Sequence, residues 1–149
     1  MRRLTRITIM SVVFVLLSAG AALAATYTIQ CDPGDNPCEG TQKVDTIYGT
    51  DSPDTIEAWE GNDTVYGYNG ADTIDGQEGD DWVNGGDGND HINDQAGADA
   101  DVLNGQAGAD RINDADGDGS DVIRGGSGDD VCIGDRRDEF KGCEKVRIR

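Results

Sequence analysis

Histidine occurs once in the 149 residues, at His91. With a single histidine the chain has no HExxH motif and no Ser-His-Asp set, so an enzyme of either kind is disfavoured. Zinc is poorly served too, because neither Cys31/Cys38 nor Cys132/Cys143 has CxxC spacing. Basic residues are scarce, 12 against 30 acidic ones, for a net charge of −18. Such a chain repels nucleic acid and anionic membranes and calls for cations. A long apolar run is also missing: Ile7 to Leu17 falls short of the roughly 18 residues a membrane span needs.

That short run has Arg2, Arg3 and Arg6 before it and Ala22-Leu23-Ala24 after it. The pattern reads as a secretory signal peptide over residues 1–24, cut before Ala25, which places the mature chain outside the cell. Cys31 is too far downstream to serve as a lipobox cysteine. Losing the leader leaves nine basic residues against 30 acidic ones, a net charge of −21. Low hydrophobicity with high net charge is the signature of disorder, and composition alone favours an acidic spacer. The order of the residues argues otherwise. Four cysteines remain, an even count that reads as disulfides in an exported protein. Of three possible pairings, Cys31–Cys38 with Cys132–Cys143 is favoured, because each pair brackets a short turn-rich stretch near one end.

From Gly40 to Ile133 an aspartate recurs two residues before an apolar residue. The pairs are Asp45/Ile47, Asp54/Ile56, Asp63/Val65, Asp72/Ile74, Asp81/Val83, Asp90/Ile92, Asp101/Leu103, Asp110/Ile112, Asp121/Ile123 and Asp130/Cys132. The spacing is nine, except for steps of eleven that end at Asp101 and Asp121. Gly61, Gly70, Gly79, Gly88, Gly97, Gly108, Gly117 and Gly128 hold the fourth position of eight of the ten units. Six residues rich in Gly, Asn and Asp make a turn, and three with an apolar centre make a short strand whose middle side chain points inward.

In Gly85-Gly86-Asp87-Gly88-Asn89-Asp90-His91-Ile92-Asn93 and in Gly125-Gly126-Ser127-Gly128-Asp129-Asp130-Val131-Cys132-Ile133 the unit resembles the RTX, or haemolysin-type, calcium-binding repeat. Elsewhere the second glycine is replaced, by Trp59, Tyr68 or Gln77 for example, and the first two units lack the fourth. The resemblance implies an all-β fold, a right-handed parallel β-roll in which two units make one coil and residues eighteen apart stack. One inner ladder is then Ile56, Ile74, Ile92, Ile112 and Cys132, and the other Ile47, Val65, Val83, Leu103 and Ile123. The roll spans residues 40–133, between an N-terminal cap at 25–39 and a C-terminal cap at 134–149. Both eleven-residue units fall on one side of the roll in adjacent coils, with their extra residues in the turn and the strand register intact.

The resemblance also implies calcium ions between stacked turns, held by the sixth-position aspartates. The candidates are Asp63, Asp72, Asp81, Asp90, Asp101, Asp110, Asp121 and Asp130, with Asp45 and Asp54 weaker. Calcium suits such turns, since it takes six to eight oxygens in flexible geometry, while magnesium demands a stricter octahedron. Aspartate favours turns without any metal, but eight in register point to a shared ligand role. The stretch Asp114-Ala115-Asp116-Gly117-Asp118-Gly119 looks like the start of an EF-hand loop. Its twelfth position is Gly125, where that loop needs a glutamate, so it reads as an acidic insertion able to add an ion contact.

Trp59 and Tyr68 fall in turns, while Tyr48, Tyr66, Trp82 and His91 flank inward positions and cover the sheet faces. Arg136, Arg137, Lys141, Lys145, Arg147 and Arg149 crowd the last sixteen residues, which read with Phe140 as a cap and less readily as a type I secretion signal. The favoured function is a secreted, non-enzymatic calcium-binding protein that folds on the ion, with no nucleic-acid partner and no membrane insertion. The alternative is a calcium-dependent adhesion module or a surface- or ice-binding one, the latter suggested by the outward threonines Thr46, Thr55, Thr64 and Thr73. On each sheet that row is two residues long before Trp82 and His91 interrupt it.

Overall fold

An Asp-x-aliphatic-x-Gly segment laid out as a strand puts the aspartate, the aliphatic and the glycine on one face. The computed structural model, which describes residues 26–117 and 121–149, has this alternation: Asp45, Ile47 and Gly49 are buried, and Thr46 and Tyr48 between them are not. The expected leader lies outside the described residues, as do Asp118 and Gly119 of the acidic insertion.

Fourteen strands form among the described residues. They are β1 (Tyr27–Gln30), β2 (Cys38–Thr41), β3 (Asp45–Tyr48), β4 (Thr55–Trp59), β5 (Thr64–Asn69), β6 (Thr73–Asp75) and β7 (Trp82–Asp87). They continue as β8 (His91–Asn93), β9 (Val102–Ala107), β10 (Arg111–Asp114), β11 (Val122–Ser127), β12 (Val131–Gly134), β13 (Glu139–Lys141) and β14 (Lys145–Ile148). Odd-numbered strands make one seven-stranded sheet in chain order and even-numbered strands the other. Every pairing between them is parallel. The chain is therefore a parallel β-solenoid of about seven coils, a β-roll.

The two ladders stack in the expected order. Ile47, Val65, Val83, Leu103 and Ile123 pair successively in the odd sheet, and Ile56, Ile74, Ile92, Ile112 and Cys132 in the even one. All ten are 0–1 % exposed. The segments flanking the repeats lengthen both ladders: Ile29 pairs with Ile47, Phe140 with Ile123, Cys38 with Ile56 and Val146 with Cys132. The eleven-residue units leave the strands in register, since Val83 pairs with Leu103 and Ile92 with Ile112 across twenty residues.

Disulfides Cys31–Cys38 and Cys132–Cys143 staple the two ends, with Cα separations of 5.6 and 6.0 Å. Each replaces an aliphatic rung at a point where few coils remain to stack against. Such bonds fit an oxidising, extracellular setting.

The sheets are less alike than the repeat suggests. Strands β5, β7, β9 and β11 run six residues, while β6 and β8 run three. The longer ones continue through positions two and three of the next unit, where Tyr68 pairs with Gly86, Gly86 with Gln106, and Gln106 with Gly126. Hence Tyr68 lies within a strand rather than in a turn, and Trp59 closes β4. On the outer face Tyr48 and Tyr66 stack with centroids 5.2 Å apart, and Trp82 tilts onto Tyr66 at 5.2 Å. The outward threonine rows are two long, Thr46–Thr64 and Thr55–Thr73, and the next partners are Trp82 and His91.

Candidate metal centre

Each sixth-position aspartate is buried at the start of a strand, Asp45 as its first residue and the others immediately before it, so the carboxylates of one turn row stack above one another. Asp45, Asp63, Asp81, Asp101 and Asp121 form one row, at the turns that lead into the odd sheet. Asp54, Asp72, Asp90, Asp110 and Asp130 form the other. All ten are at most 7 % exposed.

Within each row the link from coil to coil repeats. The backbone N–H of each aspartate donates to Oδ1 of the aspartate one coil further on, at 2.7 to 3.0 Å. One carboxylate oxygen of every aspartate after the first in each row is thereby satisfied. The other separates the units into two kinds. Oδ2 of Asp63, Asp72, Asp81, Asp90, Asp110 and Asp130 is buried and has no hydrogen-bond partner among the described residues. In the first two units, by contrast, Oδ2 of Asp45 accepts from the Thr41 N–H and Oδ2 of Asp54 from the Thr50 N–H, each at 2.6 Å, although Oδ1 of Asp45, at the start of its row, is buried without a hydrogen-bond partner among the described residues.

The backbone at position two accounts for that difference. Trp59, Tyr68, Gln77 and Gln106 all have φ between 75° and 80°, and Gly86 and Gly126 stand at 111° and 116° in the same place. Thr41 and Thr50 are not in this left-handed region, and their N–H groups cap the carboxylate of their own unit. A non-glycine residue held at positive φ is strained, and such strain gathers at functional sites. Asp45 and Asp54, read as weaker from the missing fourth glycine, are set apart by this second feature as well.

Three further carboxylates join the rows where the sequence reading named none as a ligand. Asp138 stacks after Asp121, because Val122 pairs with Glu139, and its Oδ2 accepts from the Asp135 N–H. Glu144 stacks after Asp130 and accepts its N–H through Oε2 at 2.8 Å. Asp94 stands at the first position of an eleven-residue unit, in the place that Gly76 fills one coil earlier, and is 1 % exposed. Asp114, which the acidic insertion had brought to notice, holds the same position one coil later and is 0 % exposed.

Burial in so crowded a place raises several of the inward aspartates. Asp63 and Asp72 are pushed up to about 7, Asp81 to about 8, Asp101 to about 7 and Asp110 to about 6. Desolvation is the leading cause in each; a backbone N–H lowers the value, and neighbouring carboxylates raise it again. Asp90 is raised by the same desolvation. Asp94 reaches about 11 and Asp114 about 9, through desolvation first and then the surrounding aspartates. A row of inward oxygens that resist ionisation without a counter-charge suits a hard, oxygen-seeking cation, and the residues fit calcium.

The sign of the pH dependence follows. Unfolded aspartates titrate near pH 4, whereas in the folded, metal-free roll Asp63, Asp72, Asp81, Asp101 and Asp110 hold their protons up to about pH 6–8 and Asp114 and Asp94 beyond that, so the folded state binds more protons in between. Stability of the metal-free roll is greatest below about pH 4 and is lost as pH rises through about 6–8. In chelator, the far-ultraviolet spectrum of the chain is therefore expected to show more strand at pH 5 than at pH 8. Calcium, which must displace those protons, should bind more weakly at pH 5. Strand content in chelator that rises with pH over this range would contradict the burial of these carboxylates.

Against known families, the RTX calcium-binding nonapeptide repeat model matches the chain in four copies, at residues 39–74, 66–93, 95–113 and 115–136. No curated protein and no solved structure matches.

Proposed function

The chain belongs to the RTX calcium-binding nonapeptide-repeat family, and on that premise we propose that it is a secreted, non-enzymatic protein that folds by binding calcium between its stacked turns. The family's repeats are structural and calcium-binding rather than catalytic. The observation that carries the reading is the register of buried carboxylate oxygens without hydrogen-bond partners in the described residues, at Asp63, Asp72, Asp81, Asp90, Asp110 and Asp130. An unpaired buried polar atom costs free energy, and a buried carboxylate more, unless a partner compensates it. A calcium ion shared between coils supplies that partner and offsets the repulsion along the row. Asp101 and Asp121 occupy the same register and complete the proposed ligand set. Asp45 and Asp54 are assigned a structural role, closing their own turns. Secretion is supported by the expected leader over residues 1–24 and by the two disulfides.

The division between the two kinds of aspartate gives the test. Asp90 links Asp72 to Asp110 in its row, so Asp90→Ala is expected to weaken two stacked sites at once. Asp45→Ala removes a carboxylate whose Oδ2 already has a backbone donor, and is expected to leave calcium binding nearly unchanged. Isothermal titration of the two variants measures this. Equal losses of bound calcium would overturn the assignment.

A further inference from the structure

The first position of a unit points into the roll, and in most units it is glycine for a steric reason. A Cβ on Gly85 would lie 2.3 Å from Oδ2 of Asp90, and one on Gly105 2.2 Å from Oδ2 of Asp110. Asp94 and Asp114 are the exceptions that put a charged side chain there. Each lies in an eleven-residue unit, and the two are adjacent in one turn row. Asp94 is 1 % and Asp114 0 % exposed, and neither oxygen of either carboxylate has a hydrogen-bond partner among the described residues. Both are aimed at the sixth-position row. One oxygen from each of Asp81, Asp94 and Asp101 lies within 4.8 Å of the other two, and the same holds for Asp101, Asp114 and Asp121.

We propose that these two trios, sharing Asp101, form a paired calcium site that binds its two ions more tightly than the turns elsewhere in the roll. The proposal rests on the calcium-binding reading and goes beyond it, since a first-position aspartate adds a carboxylate that the repeat pattern does not provide. Ion affinity in oxygen cages rises with the number of charged ligands and with rigidity. Here three carboxylates replace two, and the strands that begin immediately after Asp101 and Asp121 hold them in place. Oxygens around calcium, at about 2.3–2.6 Å from the ion, lie up to about 4.6–5.2 Å apart when opposed and closer when adjacent, so carboxylate oxygens within 4.8 Å of one another can share one ion. Calcium's flexible coordination suits such a carboxylate-rich site better than the strict octahedron that magnesium demands. Gly76 forms the floor of the first trio: a Cβ there would meet Oδ2 of Asp94 at 2.2 Å and Oδ2 of Asp81 at 2.7 Å. The shared Asp101 makes the two ions one unit, so that filling one trio orients a ligand of the other.

The test is a calcium titration of the whole chain by isothermal calorimetry, with ions counted by native mass spectrometry, for the parent and for Asp94→Asn with Asp114→Asn. In the parent, a tight class of two ions is expected to fill before the rest. In the double variant that class should weaken about tenfold or more, while the remaining sites and the strand spectrum at saturating calcium persist. Should the double variant not fold, Gly76→Ala probes the same place without removing a charge, and it too should weaken the tight class. A double variant or a Gly76→Ala chain that folds and titrates like the parent overturns the paired site and leaves calcium binding by the turns intact. A parent chain that binds no calcium overturns both.

Discussion

Gly108→Ala is expected to cost about 3 kcal/mol or more and to lower the melting temperature in saturating calcium by roughly 10 °C or more. Gly108 is a fourth-position glycine with φ of +144°, and a Cβ there would sit 1.5 Å from the carbonyl oxygen of Gly88. The obstacle is backbone, not a side chain that can rotate away. Gly88 meets Gly70 at 1.5 Å and Gly128 meets Gly108 at 1.6 Å in the same way, so these glycines form a column in which each coil rests directly on the one before. A methyl group in that column must push two coils apart and with them the carboxylate row beside it. Gly117 makes the comparison informative, because it holds the same motif position in an eleven-residue unit. It has φ of +107°, but a Cβ there would meet nothing within 4 Å among the described residues. Gly117→Ala is expected to incur only the backbone strain, roughly 1–2 kcal/mol. Thermal unfolding of both variants in saturating calcium measures the difference, and equal small shifts would mean that close stacking of the turns does not hold the coils together.

The nine-residue period made the roll legible because every unit repeats the same inward alternation, and ten aspartate–apolar pairs leave one register that buries them all. The disulfides were legible for a related reason: each cysteine pair spans a few residues at an end, where the period gives out. What could not be read from the pattern depends on geometry that the letters do not carry. Asp94 and Asp114 replace a residue with no side chain, so the repeat gives no sign of where a side chain at position one would point. Asp138 and Glu144 continue the carboxylate rows, but the last coil is shorter than eighteen residues; Val122 pairs with Glu139 and Val131 with Lys145, which breaks the count. The capping of Asp45 and Asp54 turns on the backbone angle at Thr41 and Thr50, which only the folded chain reveals. Tyr68, a turn residue by its place in the motif, enters a strand because its backbone pairs with Gly86 in the next coil.

The most direct test of calcium-coupled folding is the far-ultraviolet spectrum of residues 25–149, first in excess chelator near pH 8 and then across a calcium series. Binding free energy at sites that the unfolded chain lacks is folding free energy. The inner ladders are small, and against them stand stacked, desolvated carboxylates and a net charge of −21 over residues 25–149. Without the ion the repeat region is expected to be largely disordered, with the two disulfides closing only short loops. Calcium at about 0.1–1 mM, the range of extracellular modules, should bring in strand signal cooperatively, because each ion joins neighbouring coils. Magnesium at the same concentration should do little. A complete β spectrum in excess chelator, unchanged by calcium, would contradict the account.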